Sequence, residues 1–482
     1  MISKSGAQPR PYLVSRKLPP KVIANATAKS YCHMGRKNVF IWSLVIALGG
    51  FLFGFDTAVI SGAEQSIQSY WKLTALQHGL TISIALIGTV IGALTGAIPT
   101  DRYGRKTTLY IIAALYLVSS VGTAASTNWY AFLLFRFLGG FGVGASSVTA
   151  PIYISEISPA KRRGKLVGLF QFNVVFGIVA SYLSNYLIGE IGSTTHAAQT
   201  SESSWRLMLG IQAVPSAIFL LLLRYIPESP RWLILNKGQV DEARKTIQII
   251  DPTHAEEVIK AIQQTTTADH QRPALFSRRY RTPVVLAILF AVFNQVSGIN
   301  AIIYYSPRIF EMTGLGKNSA LLSTAGLGAV NFAFTLLAMN FIDRIGRRTL
   351  MLIGSFGLIF TLAMVAWSFY AEHFNSWAVP LFLFIYIAFF AFSQGAVIWV
   401  FISEIFPNSV RAKGQTLGSA THWIMAAIIA FSFPWLAEKA GGGNTFLFFC
   451  IMMCMQLLFV WKLMPETKGR SLEQIEYTLA AH

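Results

Sequence analysis

The sequence predicts an all-α membrane protein: twelve transmembrane helices in two six-helix repeats, with a cytosolic helical linker between them. Three observations point there. Of 482 residues, 54% are hydrophobic and only 12% charged, too few charges to give polar surfaces to soluble domains of that size. Apolar runs of about the 20 residues a bilayer requires recur along the chain. Short charged motifs return in the same order half a chain later.

The elements follow in order. Residues 1–37 form a basic tail with Lys4, Arg10, Arg16, Lys17, Lys21, Lys29, Arg36 and Lys37 and no acid. It reads as a disordered cytosolic arm, able to lie against anionic lipid, and lacks the compact apolar core and cleavage site of a secretory signal. The N-terminal half, 38–226, holds candidate spans near 38–62, 78–100, 107–126, 130–155, 165–189 and 205–226. A polar stretch, 227–280, reads as the cytosolic linker, with short amphipathic helices over 241–250 and 255–263. The C-terminal half, 281–464, holds spans near 282–312, 318–342, 349–371, 377–406, 414–437 and 444–464, and 465–482 is a second cytosolic tail.

Orientation follows from the cations, which favour short cytosolic loops. Arg102, Arg105 and Lys106 mark one connection, Lys161, Arg162, Arg163 and Lys165 the next on that side, and Arg344, Arg347, Arg348, Arg411 and Lys413 repeat the pattern. The opposite connections are nearly free of cations, so both termini are expected in the cytosol. This distribution explains the net charge of +18 better than a nucleic-acid surface would, because the cations flank spans instead of forming one basic domain. Cys32, Cys450 and Cys454 imply no disulfide framework, and Asn25-Ala26-Thr27 falls on the side that is not glycosylated.

Three motifs carry the duplication. Asp101-Arg102-Tyr103-Gly104-Arg105 returns 242 residues later as Asp343-Arg344-Ile345-Gly346-Arg347. Ser155-Glu156-Ile157 followed by Arg163 returns as Ser403-Glu404-Ile405 followed by Arg411, and Pro227-Glu228-Ser229 as Pro465-Glu466-Thr467. Two six-helix repeats around a midplane site are what alternating access needs, since one half can rock against the other about a fixed substrate. Together with Gln295-Val296-Ser297-Gly298-Ile299-Asn300, these motifs make the chain resemble the sugar porter family of the major facilitator superfamily, over about 38–471. The wording Gly54-Phe55-Asp56-Thr57-Ala58-Val59-Ile60-Ser61-Gly62 is most similar to its bacterial-type xylose and proton symporters.

Asp56 stands inside an apolar run, where a carboxylate costs about 2.5 to 3.5 kcal/mol on insertion scales and so needs a partner or a task. Arg136 in the fourth span is the expected partner. Motion of such a pair between conformations can load and release a proton; the alternative is a static ion pair that fixes the first and fourth helices. Facilitative members of the resembling family commonly carry Asn at this position, so Asp implies symport.

A sugar needs amides for its hydroxyls and an aromatic for its ring face. Mid-span residues of those kinds are Gln171, Asn294, Gln295, Asn300, Asn331, Trp399 and Trp423. The resemblance assigns substrate contact to Gln171, Gln295, Asn300, Asn331 and Trp399; interhelical hydrogen bonding is the other role open to such amides. The chain departs from the family at Asn294, where Gln is usual, and at His422, where an amide is usual and where an imidazole can titrate. Ile178 stands where some members carry Gln, and Ala396 where many carry Pro. The resemblance makes Tyr304, Tyr305 and Gly395 gate residues, with the bend of the tenth span resting on Gly395. Arg105, Glu156, Arg163 and Glu228, with Arg347, Glu404, Arg411 and Glu466, fall at cytosolic helix ends; they either set topology or, as the resemblance implies, close the cytosolic side.

No nucleophile with a nearby base, metal cluster or phosphate-binding loop is evident in the sequence, so neither an enzyme nor a bound metal or cofactor is expected. The expected partners are a monosaccharide, a proton and the lipid bilayer, the working unit a monomer in the inner or plasma membrane. A facilitative uniporter and a non-transporting sugar sensor are the alternatives.

Overall fold

A computed structural model describes residues 20–159, 162–194, 200–264, 274–371, 378–407 and 410–469. Residues 1–19 and 470–482 of the tails and 265–273 of the linker lie outside that set. Among the described residues, eleven helices are long and apolar enough to cross a membrane: Lys37–Tyr70, Ala75–Thr95, Arg105–Ala125, Trp129–Glu156, Arg163–Ile191, Ser204–Tyr225, Arg278–Met312, Lys317–Ile345, Arg347–Tyr370, Ala378–Glu404 and Arg411–Lys462. The last is 52 residues long and non-helical at Gly441 (φ 79°, ψ 160°). At 1.5 Å per residue it is about 78 Å of helix, more than twice a hydrocarbon core, so Gly441 divides it into the eleventh and twelfth passes. Large apolar side chains stand bare on the outside of the bundle, Phe356 at 63% and Leu221 at 62%, as a lipid-facing surface requires.

The first helix begins at Pro20, so residues 20–36 continue the first span as helix and are not the disordered arm the charge pattern predicts. Proline is tolerated in the first helical turn, where Pro20 stands. In the linker, helices Val240–Ile250 and Ala255–Gln264 agree with the predicted pair within a residue. They bury Ala243, Ile247, Ala255 and Ile259 against Trp232, Leu233 and Ile234 in a small core of their own.

Inside each half the helices approach closely through small residues. The second and fourth spans interlock through Gly88, Gly92, Gly140 and Gly144: a Cβ at Gly140 would lie 1.8 Å from the Ala85 carbonyl oxygen, and one at Gly144 2.1 Å from that of Thr89. Because Arg136 sits one turn before Gly140, this contact also sets the depth of the guanidinium. Gly140→Leu is expected to cost more than the 1–3 kcal/mol typical of overpacking, since backbone must move, and so to lower the unfolding temperature or deplete folded protein in size-exclusion profiles. A wild-type profile would contradict the packing described.

Between halves, the second span packs on the eleventh and the fifth on the eighth. The second and eleventh meet at Gly79, whose Cβ would lie 2.1 Å from the Phe431 carbonyl oxygen. That contact is at the end of the bundle opposite the Asp-Arg-x-Gly-Arg motifs.

Two spans are broken. The seventh splits at Gly298 (φ 87°) into Arg281–Val296 and Ile299–Met312, a left-handed conformation that glycine adopts without penalty. The Tyr386 hydroxyl donates to the Ser297 carbonyl at 2.9 Å and anchors the break. The tenth span is interrupted at Ser393 (φ −116°, ψ −88°), between Ala378–Phe392 and Gln394–Glu404, two residues before the expected Gly395. Ser393 donates its hydroxyl to the Phe389 carbonyl at 2.6 Å, a back-bond that bends helices, and Gly395 is ordinary helix.

Candidate functional site

Asp56 and Arg136 form a buried ion pair between the first and fourth spans. Arg136 Nη1 donates to Asp56 Oδ1 at 3.1 Å, and each residue is 2% exposed. Ser119 and Gly139 pack beside the carboxylate: a Cβ on Gly139 would lie 2.4 Å from the Ser119 hydroxyl and 3.3 Å from Asp56 Oδ1. Arg136 Nε and the buried Tyr116 hydroxyl have no hydrogen-bond partner among the described residues. Tyr304 is buried, at 2% exposure, on the Ile299–Met312 segment of the seventh span. The pair is thus desolvated and only partly satisfied, a state in which small displacements change its energy strongly.

Six of the eight predicted sugar contacts come together around the break in the seventh span. Gln295 is the hub: its Nε2 donates to Asn294 Oδ1 at 3.0 Å and faces the His422 ring nitrogens at 3.1 and 3.2 Å, while its Oε1 accepts from Asn300 Nδ2 at 2.6 Å. Asn294 Nδ2 also reaches the Gln394 carbonyl at 3.4 Å. His422 lies 4.9 Å, centroid to centroid, from both Trp399 and Trp423, and Trp423 meets Phe53 of the first span at 5.5 Å. Amides and indole faces therefore share one wall built by the C-terminal half, with Phe53 of the N-terminal half set against it.

Gln171 and Asn331 do not join this network. They lie half-buried on the fifth and eighth spans, where their neighbours Phe172 and Phe332 touch at 5.4 Å, and neither amide is hydrogen-bonded to another described residue. Ile178 packs with Tyr182 and Ala58. Of the gate candidates, Tyr305 is fully buried, donates to the Ala430 carbonyl at 3.0 Å and stacks on Phe433 at 5.0 Å.

At the motif end each half builds the same cluster. Arg105 forks onto Glu156 through Nε at 2.9 Å and Nη2 at 3.0 Å; Arg347 forks onto Glu404 at 3.1 and 2.8 Å. Glu228 accepts the backbone N–H groups of Arg105 and Lys106, and Glu466 those of Arg347 and Arg348, so each carboxylate caps the positive end of the following span. Burial raises the Glu228 carboxyl above its ordinary range, against the pull of those N–H groups and of Arg105. The motif glycines Gly104 (φ 96°) and Gly346 (φ 100°) turn the chain where a Cβ would lie 2.6 Å from the carboxylates of Glu228 and Glu466 respectively. Arg163 and Arg411 stand apart from the clusters, bonded to the Ser155 and Phe406 carbonyls at 3.2 and 3.4 Å.

Sequence reasoning missed Glu64, His78 and Arg308. Glu64 and His78 are fully buried beside Arg308 at the end opposite the motifs. The available signal was an ionisable group at the rim of each apolar run.

The family profile described as "Sugar (and other) transporter" matches residues 42–479. The chain belongs to this family. As a sugar transporter family member it is a multi-pass membrane transporter and not an enzyme. It is 33% identical to the D-xylose-proton symporter of Escherichia coli (strain K12), over 91% of this chain and 95% of that one. It is 36% identical to the arabinose-proton symporter of Bacillus subtilis (strain 168), over 91% and 94%. Among solved structures it is similar to the inward open conformation of the xylose transporter XylE from E. coli, with a TM-score of 0.81, 32% identity and coverage of 91% and 99%. That fold supplies the twelve helices that the sequence predicts.

Proposed function

We propose that the protein imports a monosaccharide, pentose or hexose, together with a proton, by alternating access as a monomer in the cell membrane with both termini cytosolic. The observation that carries this reading is that one bundle holds both a neutral amide and indole site and a buried Asp56–Arg136 pair. Uncharged donors and acceptors suit a polyol, and a carboxylate that can be neutralised suits a proton. Relatives described as xylose and arabinose proton symporters support the pairing of those two cargoes.

Gln295, Asn294, Asn300 and His422 would bond hydroxyls, Trp399 and Trp423 would cover the ring, and Gln171 and Asn331 would contribute amides that no described residue occupies. With the motif end taken as cytosolic, the contacts between halves at the other end, such as Gly79 against Phe431, support an inward-facing reading of this conformation. Arg105, Glu156, Glu228 and their repeats then close within each half, free to separate as rigid ends. One charge moved through 100 mV yields about 2.3 kcal/mol, enough for roughly fifty-fold accumulation of a neutral sugar.

The test is uptake by liposomes carrying the purified protein, with an imposed acid-outside gradient and a panel of xylose, glucose, galactose and inositol. Filling beyond equilibrium for at least one sugar, abolished by a protonophore, is expected. Filling only to equilibrium would make it a uniporter; binding without uptake would make it a sensor.

A further inference from the structure

Two helix faces run side by side at the interface between halves. The seventh-span segment Ile299–Met312 presents Asn300, Tyr304 and Arg308 at steps of four residues, one face of a helix, and the first span presents Asp56, Ile60 and Glu64 in the same way. Asn300 belongs to the amide network, Tyr304 is buried at 2% exposure, and Arg308 reaches Glu64. The last contact is a fork: Nε donates to Glu64 Oε1 at 2.9 Å and Nη2 to Oε2 at 2.8 Å, with a further bond from Nη2 to Gln68 Oε1 at 2.5 Å. Behind it, His78 Nε2 faces Glu64 Oε2 at 2.6 Å.

Glu64 and His78 are 0% exposed and the Arg308 side chain 28%. His78 Nδ1 is buried with no partner among the described residues, and the ring meets Tyr305 edge-on at 5.9 Å. Glu64 belongs to the N-terminal half and Arg308 to the C-terminal half, 244 residues away.

We propose that Glu64 and Arg308, backed by His78, are a latch that holds the extracellular side shut in the inward-facing state and parts in the outward-facing one. The inference rests on the alternating-access reading. A forked Arg–carboxylate pair is short-ranged, so rocking the halves apart by a few ångströms breaks both bonds and hydrates both groups. The desolvation that the closed form imposes on Glu64 offsets much of the attraction, which keeps closure reversible. Because Arg308 shares a rigid segment with Asn300 and Tyr304, hinged at Gly298, sugar contact and extracellular closure move together.

The test uses the full chain in liposomes, with Cys32, Cys450 and Cys454 replaced and spin labels at Thr127→Cys and Lys439→Cys, one on each half at the extracellular end. Arg308→Gln is expected to raise the ratio of long to short interlabel distances at least about tenfold, within the range of coupled transitions. Arg308→Lys, which keeps the charge but not the fork, is expected to fall between. The uncharged double variant Glu64→Gln/Arg308→Gln guards against misfolding and is expected to match the larger single effect instead of adding to it. Distances unchanged in Arg308→Gln, or effects that add in the double variant, would overturn the latch. Failure of the parent protein to transport any sugar would instead overturn the functional reading beneath it.

Discussion

Asp56→Asn is expected to abolish accumulation of sugar against its gradient while leaving counterflow exchange across energised or de-energised liposomes. Neutral Asn keeps the shape of the site, so the sugar-dependent conformational exchange survives, but it carries no proton. Accumulation should fall from as much as about fifty-fold to one. The same change strands Arg136, 2% exposed, without its counter-charge, and removing one partner of a buried pair costs about 3–5 kcal/mol. A loss of activity could then reflect a damaged fold. Asp56→Asn/Arg136→Gln separates the two explanations, because it removes both charges and is expected to recover thermal stability without recovering accumulation. Recovery of both would make the pair a static brace between the first and fourth spans.

Local features of the chain were legible in the sequence, and pairings across it only in part. The repeated Asp-Arg-x-Gly-Arg and Pro-Glu-Ser/Thr motifs announce helix ends because a positive-φ glycine, a fork-forming arginine and a capping carboxylate each impose a residue type. The seventh-span break is readable for the same reason, since Gly298 needs a left-handed backbone. The tenth-span break is not: a serine back-bond at Ser393 looks like any serine, and Gly395 draws the eye instead. Asp56 stands out as a charge deep in an apolar run, whereas Glu64 and His78 stand at run edges, where charges are common and harmless. Their burial depends on Arg308, which the fold alone brings within reach. The family pattern likewise names Gln171 and Asn331 beside Gln295 without distinguishing amides already engaged with protein from those left free.

That distinction leads to different outcomes for the amides. Gln295 holds Asn294, Asn300 and His422 in place, so Gln295→Ala removes a proposed sugar contact and leaves a buried amide of Asn300 without its acceptor. One lost bond to sugar is worth about 0.5–1.5 kcal/mol, so sugar affinity is expected to fall about tenfold, while the stranded buried donor costs about 1–3 kcal/mol of stability and lowers the melting temperature. Gln171→Ala and Asn331→Ala break no hydrogen bond to a described residue. They are expected to weaken sugar binding by about tenfold each, one bond's worth, while the melting temperature of the sugar-free protein stays where it was. Titration of the purified variants with the transported sugar, beside unfolding curves without it, checks both halves of the contrast. If Gln295→Ala binds normally, the amide network is only a brace for the broken seventh span, and the sugar must lie nearer the fifth and eighth helices.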